Sequence, residues 1–250
     1  DMREIMPRGT RTRQLMALEA LLRAPGRRLM LLGEPGSGKS TLVKYLALVL
    51  ADANLRTFDP AERQTTPDPL DAIVEWNLGR PLPILIVLRD LAAFLASAPV
   101  GQNRLAAFES FLGREPGKPA AAKVLLRALD ERRALVMFDG LDEVTDPALL
   151  PQVVALIGAV ARTYPSVPML VTCRVRDYQH PQRKVPGFAE ETLAPFNDEQ
   201  IAQSATGPGA QTPPSQSTAV SQHGSPHSWP STGHVAPSTG RAGHGDLIRL

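Results

Sequence analysis

Residues 33–41 read Gly33-Glu34-Pro35-Gly36-Ser37-Gly38-Lys39-Ser40-Thr41. Gly33, Gly38, Lys39 and Ser40 fit the spacing G-x-x-x-x-G-K-[ST] without a gap, and Gly36 adds a third glycine inside it. Each residue type has a physical reason to be there. Glycine lacks a Cβ, so backbone N–H groups can curl around a polyphosphate. Lys39 reaches the β- and γ-phosphates as a point charge, and the Ser40 hydroxyl takes a place on Mg²⁺. A helix opening here aims its positive end at the phosphates. The stretch therefore asks for a polyphosphate and Mg²⁺ as ligands. The alternative is a glycine-rich turn that binds nothing. With no ligand bound, Lys39 is expected to face solvent.

The flanks suit the motif, which must follow a strand and open a helix. Before it, Arg28-Leu29-Met30-Leu31-Leu32 is a short apolar run suited to a buried parallel strand. After it, Leu42 to Leu50 is apolar on most faces and has no Gly or Pro, as a helix packed on a sheet requires.

Working outward, Gln14 to Leu22 has helical spacing, and Pro25-Gly26 ends that helix. Asp52 to Pro69 is polar and carries three prolines, which reads as a loop. A second strand is expected at Leu82 to Leu88, then helices over Asp90 to Leu112 and Ala120 to Arg133. A third strand spans Ala134 to Phe138, and Pro147 to Tyr164 is helical. The fourth strand is Val167 to Thr172 and the fifth a short one at Glu191 to Leu193. Strands alternating with helices imply parallel βαβ units with right-handed crossovers.

The chain has 250 residues, a net charge of +2 and 21% charged residues, a balance that signals neither nucleic acid nor an anionic membrane. One cysteine, Cys173, excludes an internal disulfide framework and a cysteine-based zinc site. A cytoplasmic setting is the natural expectation. No apolar run approaches the roughly 18 residues that span a bilayer. Near Gln203 the composition shifts to Ser, Thr, Pro, Gly and His, and residues 204–250 read as a disordered tail. The expected organisation is a lead-in over 1–27, a nucleotide-binding domain over 28–203 and that tail. A chain beginning with Asp1 is expected to be a piece of something longer. Truncation or a shifted frame would explain the abrupt change at the tail, and an authentic tail is the alternative.

The third strand runs into Phe138-Asp139-Gly140-Leu141-Asp142-Glu143. Parallel strands aim their carboxyl ends at the ligand, so Asp139 can hold Mg²⁺ through its water shell. Glu143, four residues on, can orient a water toward the γ-phosphate, with Asp142 as runner-up for that base. An acidic turn with a capping Asp is the plain alternative. The strand expected at 82–88 lies between those carrying the two motifs, as in NTPases with an additional catalytic glutamate. Neither Asn-Lys-x-Asp nor a Ser-Gly-Gly transporter signature occurs.

These stretches resemble the NACHT family of signal-transducing (STAND) ATPases, within the larger AAA-like group. The resemblance rests on Gly33–Thr41 and Leu135–Glu143, above all on Asp139-Gly140-Leu141-Asp142-Glu143. Leu82-Pro83-Ile84 to Leu88-Arg89-Asp90 looks like that family's second strand, and Leu170-Val171-Thr172-Cys173-Arg174 like its sensor strand. Leu193-Ala194-Pro195-Phe196-Asn197 resembles the segment leading into a helical lid. The resemblance covers about residues 15–203. It implies a three-layer α/β/α phosphate-loop NTPase with a five-stranded parallel sheet ordered 5-1-4-3-2. It also implies that Arg174 reads the γ-phosphate, a task for a planar guanidinium, although an Arg paired with a carboxylate of the adjacent loop is the alternative. Cys173 is then a small buried apolar residue. The implied function is a slowly hydrolysing ATP/ADP switch, in a signalling protein that forms a homo-oligomer in its ATP state. The rival readings are a motor-type AAA ATPase or loader, and an inert fragment.

Overall fold

The computed structural model describes residues 17–57, 68–73, 76–98, 101–114 and 119–193. Within them, β1 (Arg28–Gly33), β2 (Leu82–Val87), β3 (Ala134–Asp139), β4 (Met169–Cys173) and β5 (Ala189–Leu193) pair in parallel in the order β2-β3-β4-β1-β5. This is the expected 5-1-4-3-2 order. The helices are α1 (Lys39–Leu55), α2 (Leu88–Ser97), α3 (Arg104–Leu112), α4 (Pro119–Asp130), α5 (Leu150–Thr163) and the short α6 (Val175–Tyr178).

Alternation along the strands builds three layers. Successive side chains point to opposite faces of a sheet. Leu29, Leu31, Leu135, Met137 and Leu170 join one apolar cluster with Leu42, Val43, Leu46 and Leu50 of α1 and with Leu18 and Leu21 of the helical residues 17–23. Met30, Leu32, Val136, Phe138, Met169 and Val171 join the other with Leu91 of α2, Phe108 of α3 and Ile157 of α5. The central strands are buried on both sides, which explains why their sequences are continuously apolar. Leu46 is fully buried in the first layer, and truncating such a Leu to Ala costs about 2–5 kcal/mol.

The edges read differently. β2 is an outer strand and tolerates Pro83, which has no N–H to donate and is accommodated at a sheet edge where no second strand calls for one. β5, at the other edge, exposes Glu190, Glu191 and Thr192, and edge charges of this kind discourage pairing with another chain.

Several boundaries differ from the sequence reading. The helix expected over 90–112 is two helices, α2 and α3. Ala98 is extended, Asn103 caps α3 by accepting from Leu105 N at 2.8 Å, and Pro99 and Gly101 lie between. α1 runs on to Leu55 and takes four residues from the expected loop. Strand β2 stops at Val87, because Leu88 already opens α2. α5 begins at Leu150, not Pro147, while β5 begins two residues early at Ala189. Residues 14–16, the loop over 58–67, the segment from Ala194 and the tail from 204 lie outside the described residues.

Candidate functional site

β1 ends at Gly33 and α1 begins at Lys39, so the quoted loop joins a strand to a helix N-terminus. Gly36 and Gly38 take φ of +75° and +90°, left-handed values that glycine adopts without strain. No acidic side chain occupies the first turn of α1, so nothing there opposes an anion at the dipole's positive end. An open cleft of about 250 Å³ is lined by Pro35, Gly36, Ser37, Gly38, Lys39, Ser40 and Thr41 on one side and by Gly140, Asp142, Glu143, Thr172 and Arg174 on the other. Gly33 and Glu34 contribute carbonyl oxygens just behind this lining.

Lys39 is half-buried rather than solvent-facing. Its Nζ donates to Gly33 O at 2.7 Å and Glu34 O at 3.0 Å, and lies 3.3 Å from Ser37 Oγ. The loop's turned carbonyls lack backbone donors, and an ammonium with three N–H groups supplies them. Burial pulls the Lys39 pKa below its ordinary value of 10.5. The Asp142 charge opposes that shift and Arg174 adds to it.

The sheet order sets the rest. β4 lies between β1 and β3, so Asp139 at the end of β3 meets Ser40 at the start of α1 across the width of one strand. Ser40 Oγ donates to Asp139 Oδ1 at 3.1 Å. That places the two residues expected to serve Mg²⁺ within one hydrogen bond of each other. The donated proton leaves the Ser40 lone pairs free for a hard cation, which takes oxygen ligands. Among the described residues no group of three or more His, Cys, Asp or Glu is assembled for a metal. A cation here would therefore rely on Ser40, Asp139 and the nucleotide's own oxygens. These residues fit Mg²⁺ bound with a polyphosphate.

The acidic turn Leu141–Glu143 is a single 3₁₀ turn entered through Gly140. Asp142 and Glu143 diverge from it. Asp142 Oδ2 pairs with Arg174 Nε at 2.8 Å, and its side chain is 8% exposed. Glu143 Oε2 lies 3.4 Å from Arg89 Nη1, and its side chain is 41% exposed. Glu143 is thus the carboxylate that water reaches more readily. Arg174 takes the loop-carboxylate pairing that the sequence left open beside a γ-phosphate contact. Cys173 is fully buried, and burial pushes its thiol up to about 12, so it is not a thiolate nucleophile at neutral pH.

Three further side chains shape the site without having been assigned a role from sequence. Thr172 donates to Asp139 Oδ1 at 2.6 Å and accepts from Gly140 N at 2.8 Å. Arg89 stands at the exit of β2, whose Val87 is in register with Asp139, so adjacency of β2 and β3 was the available signal. Arg183 donates to the carbonyls of Leu141 and Val144 and clamps the acidic turn from the segment before β5. No spacing in the sequence points to that contact.

A parallel sheet in this order, a phosphate loop from β1 into α1 and an acidic end on β3 define a phosphate-loop NTPase fold. No protein-family model matches the chain, and no curated protein does. Among solved structures, a closed-state cryo-EM reconstruction of Hsp104 with ATPyS and FITC casein is similar, with TM-score 0.43 and 18% identity over 77% of this chain. The chain spans 28% of the length of that Hsp104 chain. No helix among the described residues is long and apolar enough to cross a membrane.

Proposed function

We propose that residues 28–203 form a Mg²⁺-dependent ATP-binding switch domain that hydrolyses ATP slowly. The observation that carries this reading is the join of Ser40 to Asp139 at 3.1 Å beside the Lys39 loop. A hydroxyl, a carboxylate and an ammonium meet at a helix N-terminus, and that combination suits a metal-bound polyphosphate. Gly33–Thr41 cradle the phosphates, Lys39 neutralises their charge, and Ser40 and Asp139 hold the cation. Bound Mg²⁺ would neutralise charge on the β- and γ-phosphate oxygens. Glu143 orients the attacking water, with Asp142 as the alternative base, and Arg174 reads the γ-phosphate after leaving Asp142.

The resemblance of Asp139-Gly140-Leu141-Asp142-Glu143 and Thr172-Cys173-Arg174 to NACHT ATPases supports a signalling role in the cytoplasm. In that role the ATP form of the whole protein assembles a homo-oligomer. The first test is titration with labelled ATP in the presence of Mg²⁺. Micromolar or tighter binding that Lys39→Ala abolishes supports the reading. Unchanged affinity in Lys39→Ala would sink the phosphate-loop assignment.

A further inference from the structure

We propose that Thr172 is a positioning residue that orients the Asp139 carboxylate toward the divalent cation and pins the root of the acidic turn. Thr172 lies on β4, the strand between β1 and β3. Its side chain points to the same face as that of Leu170, two residues earlier, which is the face α1 covers. It therefore meets Asp139 from β4, on the same carboxylate oxygen that Ser40 reaches from α1. It is 1% exposed and cannot exchange these partners for water.

Its hydrogen-bond directions are fixed by elimination. Gly140 N–H can only donate, so the Thr172 hydroxyl accepts there at 2.8 Å. Its single proton then goes to Asp139 Oδ1, at 2.6 Å. Ser40 Oγ donates to the same Oδ1. Two hydroxyl donors thus converge on one carboxylate oxygen, and among the described residues no donor reaches Oδ2. Oδ2 is left for the cation or a water of its shell. The same hydroxyl holds Gly140 N, the hinge from which Asp142 and Glu143 diverge. One side chain thus sets both the metal carboxylate and the entry of the turn that carries the base. Groups that orient a metal ligand in this way change metal affinity by about 10- to 100-fold when removed.

This inference rests on the Mg²⁺-ATP reading above, and its test separates the two. The affinity of wild type, Thr172→Val and Thr172→Ser for a fluorescent ATP analogue is measured with Mg²⁺ and again with EDTA. In Thr172→Val the gain in affinity from Mg²⁺ is expected to shrink by about 10- to 100-fold, with affinity in EDTA unchanged. Thr172→Ser, which keeps the hydroxyl, is expected to retain the gain. A full Mg²⁺ gain in Thr172→Val, or equal loss with and without Mg²⁺, would overturn the proposal. Loss of the gain in Thr172→Ser would overturn it too. If Thr172→Val does not fold, Thr172→Ala removes the same hydroxyl without a second methyl and is read the same way. Wild type that binds no nucleotide in either condition overturns the switch reading and this inference with it.

Discussion

Arg174 Nε lies 2.8 Å from Asp142 Oδ2, and the backbone N–H of Arg174 donates to Oδ1 of the same carboxylate at 3.1 Å. The guanidinium that would read a γ-phosphate is thus already engaged by a carboxylate on the facing turn. A nucleotide must compete for it. Half of the Arg174 side chain is exposed while that of Asp142 is 8% exposed, so the guanidinium is the partner that a nucleotide can reach. A triphosphate, with more charge, can win that competition.

The pair gives the first prediction. Arg174→Ala is expected to lower the preference for ATP over ADP by about ten- to a hundredfold, the scale of one charge-assisted hydrogen bond. Asp142→Asn keeps an oxygen for the backbone N–H but removes the competing charge. It is expected to raise the same preference. Parallel titrations with ATP and ADP decide. Equal losses for both nucleotides in Arg174→Ala would mean that Arg174 stays with Asp142 throughout.

Lys39 supplies a pH signature. Its pKa lies below 10.5 in the fold, chiefly because burial disfavours the ammonium. Between that lowered value and 10.5 the unfolded chain holds more protons than the folded one, so this group's contribution to stability rises with pH across the window. At lower pH the contribution is constant and unfavourable. The difference in melting temperature between wild type and Lys39→Met is therefore expected to move in favour of wild type as the solution becomes alkaline toward 10.5. A pH-independent difference would contradict the assigned burial. The same substitution should abolish nucleotide binding.

Much of the fold was legible because its signals are local. The run Leu29–Leu32 is apolar on both faces, and the central β1 is buried on both faces. The sheet order came with the family resemblance, and the pairing of β4 with both β1 and β3 bears it out. Where the sequence reading slipped, a break had to be weighed against helical periodicity. Pro99 and Gly101 won over the apolar spacing of 90–112, so α2 and α3 are separate. The site was half legible. The phosphate loop and Asp139 carry their meaning in spacing. Thr172, Arg89 and Arg183 act through contacts between segments distant in the chain, such as Leu141 and Arg183 at a separation of 42 positions. Spacing along one segment does not encode such contacts. Lys39 was misplaced toward solvent because the carbonyls it serves are visible only once the loop has turned.

Glu143 and Asp142 can be told apart by turnover. Glu143→Gln is expected to keep ATP bound while cutting hydrolysis by about 10²-fold or more, the scale of a lost general base. Its side chain is 41% exposed, against 8% for Asp142, so an attacking water reaches Glu143 first. Phosphate release at saturating ATP measures the effect. If Asp142→Asn stops turnover and Glu143→Gln does not, Asp142 is the base and its pairing with Arg174 must open during the reaction.

Two glycines separate binding from chemistry. Gly140 has φ +83°, and a Cβ there would lie 3.1 Å from Glu143 Cδ and 3.2 Å from its Cγ. Gly36 has φ +75°, but a Cβ there would meet nothing within 4 Å. Left-handed backbone costs an L-residue about 1–2 kcal/mol, so both Ala variants should lose about that much stability in urea unfolding. Their functional effects should then diverge. In Gly140→Ala the added methyl pushes on Glu143, so turnover should fall while ATP binding stays within a few-fold of wild type. Gly36 lines the cleft, and in Gly36→Ala the methyl stands where the loop must approach a phosphate. ATP affinity should fall there, with no protein atom displaced. If Gly36→Ala binds ATP as tightly as wild type, the phosphates do not pass over this loop and the cradle has been assigned to the wrong backbone.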